Sequence, residues 1–179
     1  MKALVLGGAN CVYADAEAAL DLFTPDIVAA VNSIGIDWPG HIHHWFTLHP
    51  DKTKDWPGIE EALRLRKLKR LNKPVVWGFQ PARFIDRVTP DWSGSSGLFA
   101  VKGLRELGCM HIVLAGVPMT KLNAHYNNNQ AWEQAEKYHR GWHRHLIDIQ
   151  PFVRSMSGWT KSILGAPTAE WLASEPRRK

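Results

Sequence analysis

Six short and almost uninterrupted apolar runs divide this 179-residue chain, and segments with helical spacing separate them. Apolar runs of roughly 4 to 8 residues that end at Gly, Pro or Asn are typical of buried strands. The predicted strands span residues 2–6, 26–31, 44–48, 74–79, 111–115 and 152–156. The predicted helices span residues 15–23, 56–71, 95–107, 129–149 and 160–164.

Regular alternation of strand and helix indicates a parallel sheet, because parallel strands need a long crossover connection. Nearly continuous apolar strands further indicate that helices cover both faces of that sheet. The predicted fold is therefore α/β: a Rossmann-like domain with a mostly parallel sheet of about six strands and helices on both faces. A chain of this length suits one domain, so we assign residues 1–179 to it, with a flexible basic tail at residues 175–179.

Composition excludes several classes of protein. The two cysteines, Cys11 and Cys109, form no CxxC motif, which argues against a disulfide scaffold or a zinc ribbon. The first residues run directly into a predicted strand, so no signal peptide is expected. No apolar run approaches the length that a membrane span needs. We therefore expect a cytoplasmic protein with no membrane partner.

The turns that follow the predicted strands meet at one edge of the sheet. Parallel strands all present their carboxyl ends to the same side, where such folds bind their ligands. That edge collects residues 7–10, 32–33, 49–50, 93–97 and 118–129. The sequence therefore predicts a ligand site built from these turns.

A glycine-rich turn, Gly7-Gly8-Ala9-Asn10, follows the first predicted strand. Such a turn lets the backbone approach a ligand and offers N–H groups to a phosphate or carboxylate, although a plain tight turn is the alternative. The motif is not GxGxxG, and no acidic residue ends the second strand, which argues against classical NAD binding.

Serine and asparagine side chains supply further candidates. Ser95, Ser96 and Gly97 open a predicted helix, where hydroxyl and N–H groups suit an anion or a ribose, or where a serine simply caps the helix. Asn10 and Asn32 follow strands and carry both a donor and an acceptor for a base edge or a sugar hydroxyl.

Four histidines surround the third predicted strand and raise the question of a metal. Strand periodicity separates His44 from His43 and His49, and no cysteine or carboxylate lies between them, so we predict no metal site. His49, at the exit of the strand, is the better candidate for a ligand contact. His44 is predicted to be packed in the core.

His125 precedes the long predicted helix and lies at the ligand edge. Histidine changes charge near neutral pH and is the commonest general base, so His125 is the candidate catalytic residue. Residues 127–129 are asparagines that either orient this ring or cap the helix. His139, on the apolar stripe of the helix, is predicted to be buried and hydrogen-bonded.

The excess of basic residues is concentrated between Arg64 and Lys73 and in the tail at residues 177–179. A solvated helix face with Leu63, Leu68 and Leu71 packed on the sheet is the favoured interpretation of the first cluster. Binding to nucleic acid or another phosphate-bearing partner is the lesser alternative.

The order of these motifs resembles the bacterial CMP-sialic-acid-dependent sialyltransferases and the related motility-associated-factor glycosyltransferases. The matching pieces are GGAN from Gly7, AVNS around Asn32, HP at His49, SSGLFAVKGLRELG from Ser95, IVLAGVPM ending at Met119, and FVRSMSGWTKSIL. The group has Asn-Pro where this chain has His49-Pro50, and an Asp where it has Pro118. By the same resemblance, His125 corresponds to the base of the sialyltransferases. The LGGA, AVN, HHWFTLHP, SSGLFA and GVPM series is also similar to small phage and prophage proteins that have no assigned activity.

Three functions are consistent with these observations. The first is a metal-independent, glycosyltransferase-like enzyme that works in a bacterial host cell without any cofactor besides its nucleotide-linked donor. Its nucleotide would be held by Gly7, Gly8, Asn10, Asn32, His49, Ser95, Ser96 and Gly97, and His125 would deprotonate the acceptor. The second is a non-catalytic protein that sequesters a nucleotide. The third is a virion or partner-docking protein on the same fold.

Overall fold

The computed structural model describes residues 1–53, 56–92, 95–127 and 130–175. Its strands are β1 (Lys2–Leu6), β2 (Ile27–Val31), β3 (His44–Phe46), β4 (Val75–Gly78), β5 (Arg87–Val88), β6 (His111–Ala115) and β7 (Val153–Ser155). They form one sheet in the order β5-β4-β3-β2-β1-β6-β7, and every neighbouring pair is parallel. The predicted Rossmann-like α/β fold is confirmed.

Helices cover both faces of the sheet, as predicted. They are α1 (Val12–Leu22), α2 (Ile34–Asp37), α3 (Ile59–Leu68), α4 (Ser96–Glu106), α5 (His139–Ile149), α6 (Gly158–Leu164) and α7 (Ala169–Ala173). Alternate side chains of the central strand enter opposite cores. Ala3 and Val5 of β1 pack in the core that contains α4 and α5, while Leu4 and Leu6 pack in the core that contains α1 and α3.

The chain reverses its direction of travel across the sheet beside β1. From β1 it moves outward through β2, β3 and β4 to β5, and then it crosses back to β6 on the other side of β1. Between the carboxyl ends of β1 and β6, the two connections diverge and leave a crevice. In folds of this class ligands bind at that crevice, which lies here beside the loops that begin at Gly7 and Gly116.

Three short elements were not predicted from the sequence. Strand β5 has only two residues, both exposed, and so lacks an apolar run. Helices α2 and α7 have four and five residues, which is too short for helical spacing to emerge from the sequence.

The predicted helix over residues 129–149 is wrong in its first part. Ala124 pairs with Ala131 in an antiparallel bridge, and the N–H of His125 donates to the carbonyl of Gln130. These contacts turn the chain into a hairpin, so a 3-10 turn begins only at Ala135 and α5 begins at His139. Residue 129 itself lies outside the described part of the chain.

The prediction of a solvated basic face between Arg64 and Lys73 is wrong for two residues. Arg66 is only 1% exposed, and its guanidinium donates to backbone and side-chain oxygens. Leu68, expected to pack on the sheet, is 66% exposed. Helix α3 therefore buries Ile59, Ala62 and Arg66, a face rotated from the predicted one. The predicted tail, from residue 176 onward, lies outside the described residues.

Candidate functional site

A cavity of about 370 Å³ lies over the carboxyl ends of β1, β2, β3 and β6. Its volume falls within the usual range for small-molecule sites. The lining comes from the loop after β1, the ends of β2 and β3, the first turn of α4, the loop after β6 and the hairpin described above. Its residues are Gly7, Gly8, Ala9, Val31, Asn32, Ser33, Leu48, His49, Trp56, Ser95, Ser96, Gly97, Gly116, Val117, Pro118, Met119, Thr120, Asn123, Ala124, His125, Gln130, Ala131, Trp132 and Tyr138.

The structure brings most of the predicted site residues to this cavity. Those that line it are Gly7, Gly8, Asn32, His49, Ser95, Ser96, Gly97 and His125. Asn10 does not line it: its side chain is exposed, and its Oδ1 accepts a hydrogen bond from Asn123. Ser93, Gly94 and the asparagines at 128 and 129 lie outside the described residues.

Most N–H groups of the glycine-rich turn donate hydrogen bonds to other backbone atoms of the protein. Gly7 donates to Ala115, Ala9 to Gly116 and Asn10 to Ala124, all through backbone atoms. Only the N–H of Gly8 has no partner among the described residues. This turn therefore offers a ligand one donor and a close backbone approach, rather than the full cradle of N–H groups that the sequence suggested.

Asn32 ends β2 in the left-handed region, with φ of 51°. Its backbone is fixed from the other face of the sheet, because the indole N–H of Trp45 donates to its carbonyl at 2.7 Å. Its side-chain Nδ2 donates to Ser96 Oγ at 3.2 Å. Its buried Oδ1 has no partner among the described residues. An unpaired buried acceptor is costly, so this amide is the site's least satisfied polar group.

The first turn of α4 forms the adjoining wall. Ser95 caps the helix, with its Oγ accepting from Leu98 N at 3.4 Å and from the indole N–H of Trp142 at 3.2 Å. The N–H groups of Ser96 and Gly97 have no partner in the described part of the chain. Helix N-termini of this kind attract anions through free N–H groups and the helix dipole.

Gly97 has a packing role in addition to its place in this wall. A Cβ at Gly97 would lie 2.8 Å from a side-chain carbon of Val117, in the loop after β6. A side chain at this position would therefore meet the protein's own loop before it could obstruct a ligand.

His125 lies on the hairpin, above the glycine-rich turn. Its Nδ1 is 2.6 Å from Asn127 Oδ1, which confirms the prediction that a following asparagine orients the ring. Because an amide oxygen can only accept, this contact favours the neutral tautomer with hydrogen on Nδ1 and a lone pair on Nε2. Nε2 lies 3.0 Å from where a Cβ on Gly8 would be, so a side chain at position 8 would crowd the ring.

Tyr126 anchors the hairpin next to His125. Its N–H donates to the carbonyl of Gly8 at 3.0 Å, and its hydroxyl donates to Asp37 Oδ2 at 2.6 Å. Lys69 donates to the other oxygen of the same carboxylate. Burial would raise the pKa of Asp37, but the hydrogen bonds from Lys69 and Tyr126 outweigh it and lower that pKa. The hairpin is thus tied to α2 and α3.

Asp15 holds the loop after β6 from below the cavity. Its Oδ2 accepts from the N–H of Gly116 at 2.9 Å and from the hydroxyl of Ser157. The nearby Cys11 contacts Ser157 and lies outside the cavity lining. Burial is the main cause that raises the pKa of the Cys11 thiol to about 11, so this thiol stays protonated at neutral pH. These groups position the loop and supply no nucleophile.

The remaining histidines divide into packed and exposed ones. His49 is exposed at the cavity with no side-chain partner among the described residues, and its carbonyl accepts from the indole N–H of Trp56. His44 accepts from the indole of Trp77, and burial lowers its pKa, as expected of a packed histidine. His139 is half-buried; its Nε2 hydrogen-bonds the Met119 carbonyl.

Two aromatic residues of the cavity were missed by sequence analysis. Trp132 and Tyr138 both line the cavity, and their rings stack with centroids 5.5 Å apart. Trp132 falls within the segment whose spacing predicts a helix over residues 129–149, and nothing in that spacing indicates the hairpin that redirects it. A possible clue was the asparagine-rich stretch before it, since Asn favours turns.

A larger depression of about 670 Å³ lies at the opposite edge of the sheet. It is lined by residues that include Lys2, Asp26, His111 and Leu172, none of which was a predicted site residue. The carboxyl edge is the better candidate despite its smaller cavity, because the free N–H groups and His125 converge there. Within the described ranges, no three His, Cys, Asp or Glu side chains lie close enough together to hold a metal ion.

Comparison of this chain with protein-family models, with curated proteins and with solved structures finds no match. The resemblance to glycosyltransferases therefore still depends on the short motifs of the sequence. Among the helices that the structure describes, none has the length and apolar character required to cross a membrane.

Proposed function

We propose that the carboxyl-edge cavity binds a nucleotide-linked sugar donor and that the protein transfers the sugar to an acceptor hydroxyl. The observation that carries the proposal is the convergence of two kinds of group on one cavity. Free N–H groups at the start of α4 suit a phosphate, and His125 presents an oriented ring nitrogen on the opposing hairpin.

The character of the lining favours a donor with a single phosphate. None of the described lining residues is Lys, Arg, Asp or Glu. A diphosphate normally needs a cation or a metal held by carboxylates to offset its charge. The N–H groups of Ser96 and Gly97, with the dipole of α4, match the smaller charge of one phosphate group.

The chemistry requires one proton transfer and one displacement. The acceptor oxygen attacks the sugar carbon that bears the phosphate, and its proton moves to Nε2 of His125. The bond between that carbon and the phosphate oxygen breaks, and its electron pair leaves with the phosphate. The N–H groups at α4 stabilise the charge that develops on the leaving group. Asn127 keeps the ring in the tautomer that can accept the proton.

A thermal-shift screen followed by a hydrolysis assay tests the proposal. The screen uses the ribonucleoside monophosphates, the matching diphosphates and their sugar conjugates. A ligand at a hundredfold its Kd stabilises the protein by about 2.7 kcal/mol. We expect a monophosphate and its sugar conjugate to raise Tm more than any diphosphate, and the conjugate to be slowly hydrolysed without acceptor. No shift with any of these compounds would contradict the proposal.

A non-catalytic nucleotide binder is the second candidate, and the internal use of N–H groups at Gly7, Ala9 and Asn10 favours it. Fewer free donors leave less stabilisation for a leaving phosphate. Binding of a free nucleotide without any turnover of its sugar conjugates would establish this candidate instead. In either case, we expect the protein to work in the cytoplasm of a bacterial host cell, where nucleotide ligands are abundant.

A further inference from the structure

The cavity contains one aromatic face that the protein does not cover. Trp132 is 40% exposed although it lines the cavity. Its ring is backed by Tyr138, with an angle of 27° between the two planes, so the outer face of the indole is held in a fixed orientation. Ligand pockets are lined mainly by hydrophobic and aromatic side chains, so an exposed indole in the lining is a candidate ligand contact.

Trp56, the other tryptophan of the lining, provides an internal comparison. It is 6% exposed, and its indole N–H donates to the carbonyl of His49 at 2.6 Å. The indole N–H of Trp132 has no partner among the residues that the structure describes. Trp56 is thus a packed wall, whereas Trp132 offers both an apolar face and an unused donor at its edge.

The hairpin sets the position of Trp132 relative to the proposed chemistry. Ala124 pairs with Ala131, and His125 hydrogen-bonds Gln130, so Trp132 follows directly on the strand that faces His125. A general base must lie beside the reacting hydroxyl and the sugar carbon that it attacks. The free N–H groups for the phosphate are on α4, a different wall of the cavity. Groups that contact the hairpin therefore belong to the sugar or the acceptor, and not to the phosphate.

We propose that Trp132 is a stacking platform for a sugar ring, either that of the donor or that of the acceptor. This inference rests on the proposed function of the same cavity. A sugar ring has an apolar face of C–H groups, which suits the exposed indole, and hydroxyls at its rim that accept a hydrogen bond from the free indole N–H. The nucleobase lies elsewhere in the cavity.

The first test compares a sugar conjugate with its free nucleotide by calorimetry. Trp132→Ala should weaken binding of the conjugate by about tenfold, which corresponds to about 1.4 kcal/mol, and leave the free nucleotide within about twofold, since only the conjugate carries the stacked sugar. Trp132→Phe should restore most of the affinity. Trp92→Ala is the matched control, because Trp92 stacks on His145 away from the cavity lining and should alter neither affinity.

The second test needs no nucleotide. N-acetylneuraminic acid, N-acetylglucosamine and galactose are titrated while the indole N–H signal of Trp132, identified by its loss in Trp132→Phe, is followed by NMR. Movement of this signal without binding of any nucleotide would support the platform and reject the proposed function. Equal weakening of conjugate and free nucleotide by Trp132→Ala would mean that the base stacks there and would overturn the inference. The inference would also be overturned if Trp132→Ala bound the conjugate with unchanged affinity and the sugars did not move the indole N–H signal.

Discussion

The Arg66 cluster and the carboxyl-edge cavity both remove polar groups from water, but they differ in how far those groups are hydrogen-bonded. In the Arg66 cluster, the five N–H donors of one guanidinium reach the carbonyls of Gly35, Trp38, Gly40 and Asn72 and the side-chain oxygen of Asn72. Every donor that arginine has is used. In the cavity, by contrast, Asn32 Oδ1 and the N–H groups of Ser96 and Gly97 have no partner among the residues that the structure describes.

This difference distinguishes a structural polar cluster from a binding one. Buried polar groups are normally satisfied, because an unsatisfied one costs roughly 1–3 kcal/mol. The Arg66 cluster follows that rule and ties the loop after α2 to the end of α3. The cavity departs from it at Asn32, where a ligand could complete the hydrogen bonds; among the described residues, buried atoms without a partner also occur at Asp91 and His111. Substitutions in the Arg66 cluster should therefore lower stability, whereas substitutions in the cavity should lower ligand affinity or turnover.

The largest expected effect is on stability, at Arg66. Arg66→Met removes the charge but leaves several buried carbonyls without a hydrogen-bond donor. The free energy of unfolding should therefore fall by about 3 kcal/mol or more. Chemical denaturation measures this loss, and Arg64→Met, which breaks only an exposed pair with Glu61, is the control with no measurable change. If the Arg66 and Arg64 variants were equally stable, the cluster would not be structural.

The next effect is on turnover, at His125. His125→Ala should lower the rate roughly a hundred- to ten-thousandfold and leave nucleotide affinity within a few-fold, since the ring acts on the proton of the acceptor. Steady-state kinetics on the sugar conjugate, with unfolding measured in parallel, separates this loss from instability. His143→Ala changes an exposed histidine outside the cavity and should keep full activity. Full turnover in His125→Ala would remove the residue from the mechanism.

A smaller effect, on affinity alone, is expected at Asn32. Asn32→Gly keeps the left-handed backbone and deletes the side chain whose Oδ1 has no partner among the described residues, so nucleotide affinity should fall by about tenfold while stability changes by about 1 kcal/mol or less. Asn10→Gly, outside the lining, is the matched control for calorimetry. If both variants lost affinity, the site would have to include Asn10. If neither did, Asn32 Oδ1 would have no role in binding the nucleotide.

The smallest effect concerns the tie between Tyr126 and Asp37. Because the pKa of Asp37 is lowered in the folded protein, its stabilisation is present above the ordinary aspartate pKa of about 3.9 and is lost as pH falls through the lowered value. Asp37→Asn should therefore be less stable than the unchanged protein at pH 7 and should lose less stability on acidification. Thermal unfolding across this range measures both. Parallel pH curves for the two proteins would show that Asp37 contributes no such linkage.

Local patterns predicted much of the fold and eight of the residues that line the cavity. Apolar runs ended by Gly, Pro or Asn were sufficient to locate six strands and hence the shared carboxyl edge. That edge in turn predicted that Asn32, Ser96 and His125 would meet. What local patterns did not contain was long-range pairing: the bridge between Ala124 and Ala131 that exposes Trp132, for example.

The burial of Arg66 was missed for the same reason. Its acceptors lie near residues 35–40 and at residue 72, and no spacing within α3 indicates them. Charge in a helix is ordinarily solvated, so the general rule failed at Arg66, where acceptors from other segments surround a buried guanidinium.

The most direct test of the account is to map where a nucleotide binds by backbone amide NMR. Titration with the best nucleotide from the thermal-shift screen should move the N–H signals of Gly8, Ser96 and Gly97 most, because these backbone donors of the cavity have no partner within the described part of the chain. Signals of residues at the opposite edge, such as His111 and Leu172, should stay fixed. Shifts centred on His111 and Leu172, or no shifts at saturating nucleotide, would contradict the assignment of function to the carboxyl-edge cavity.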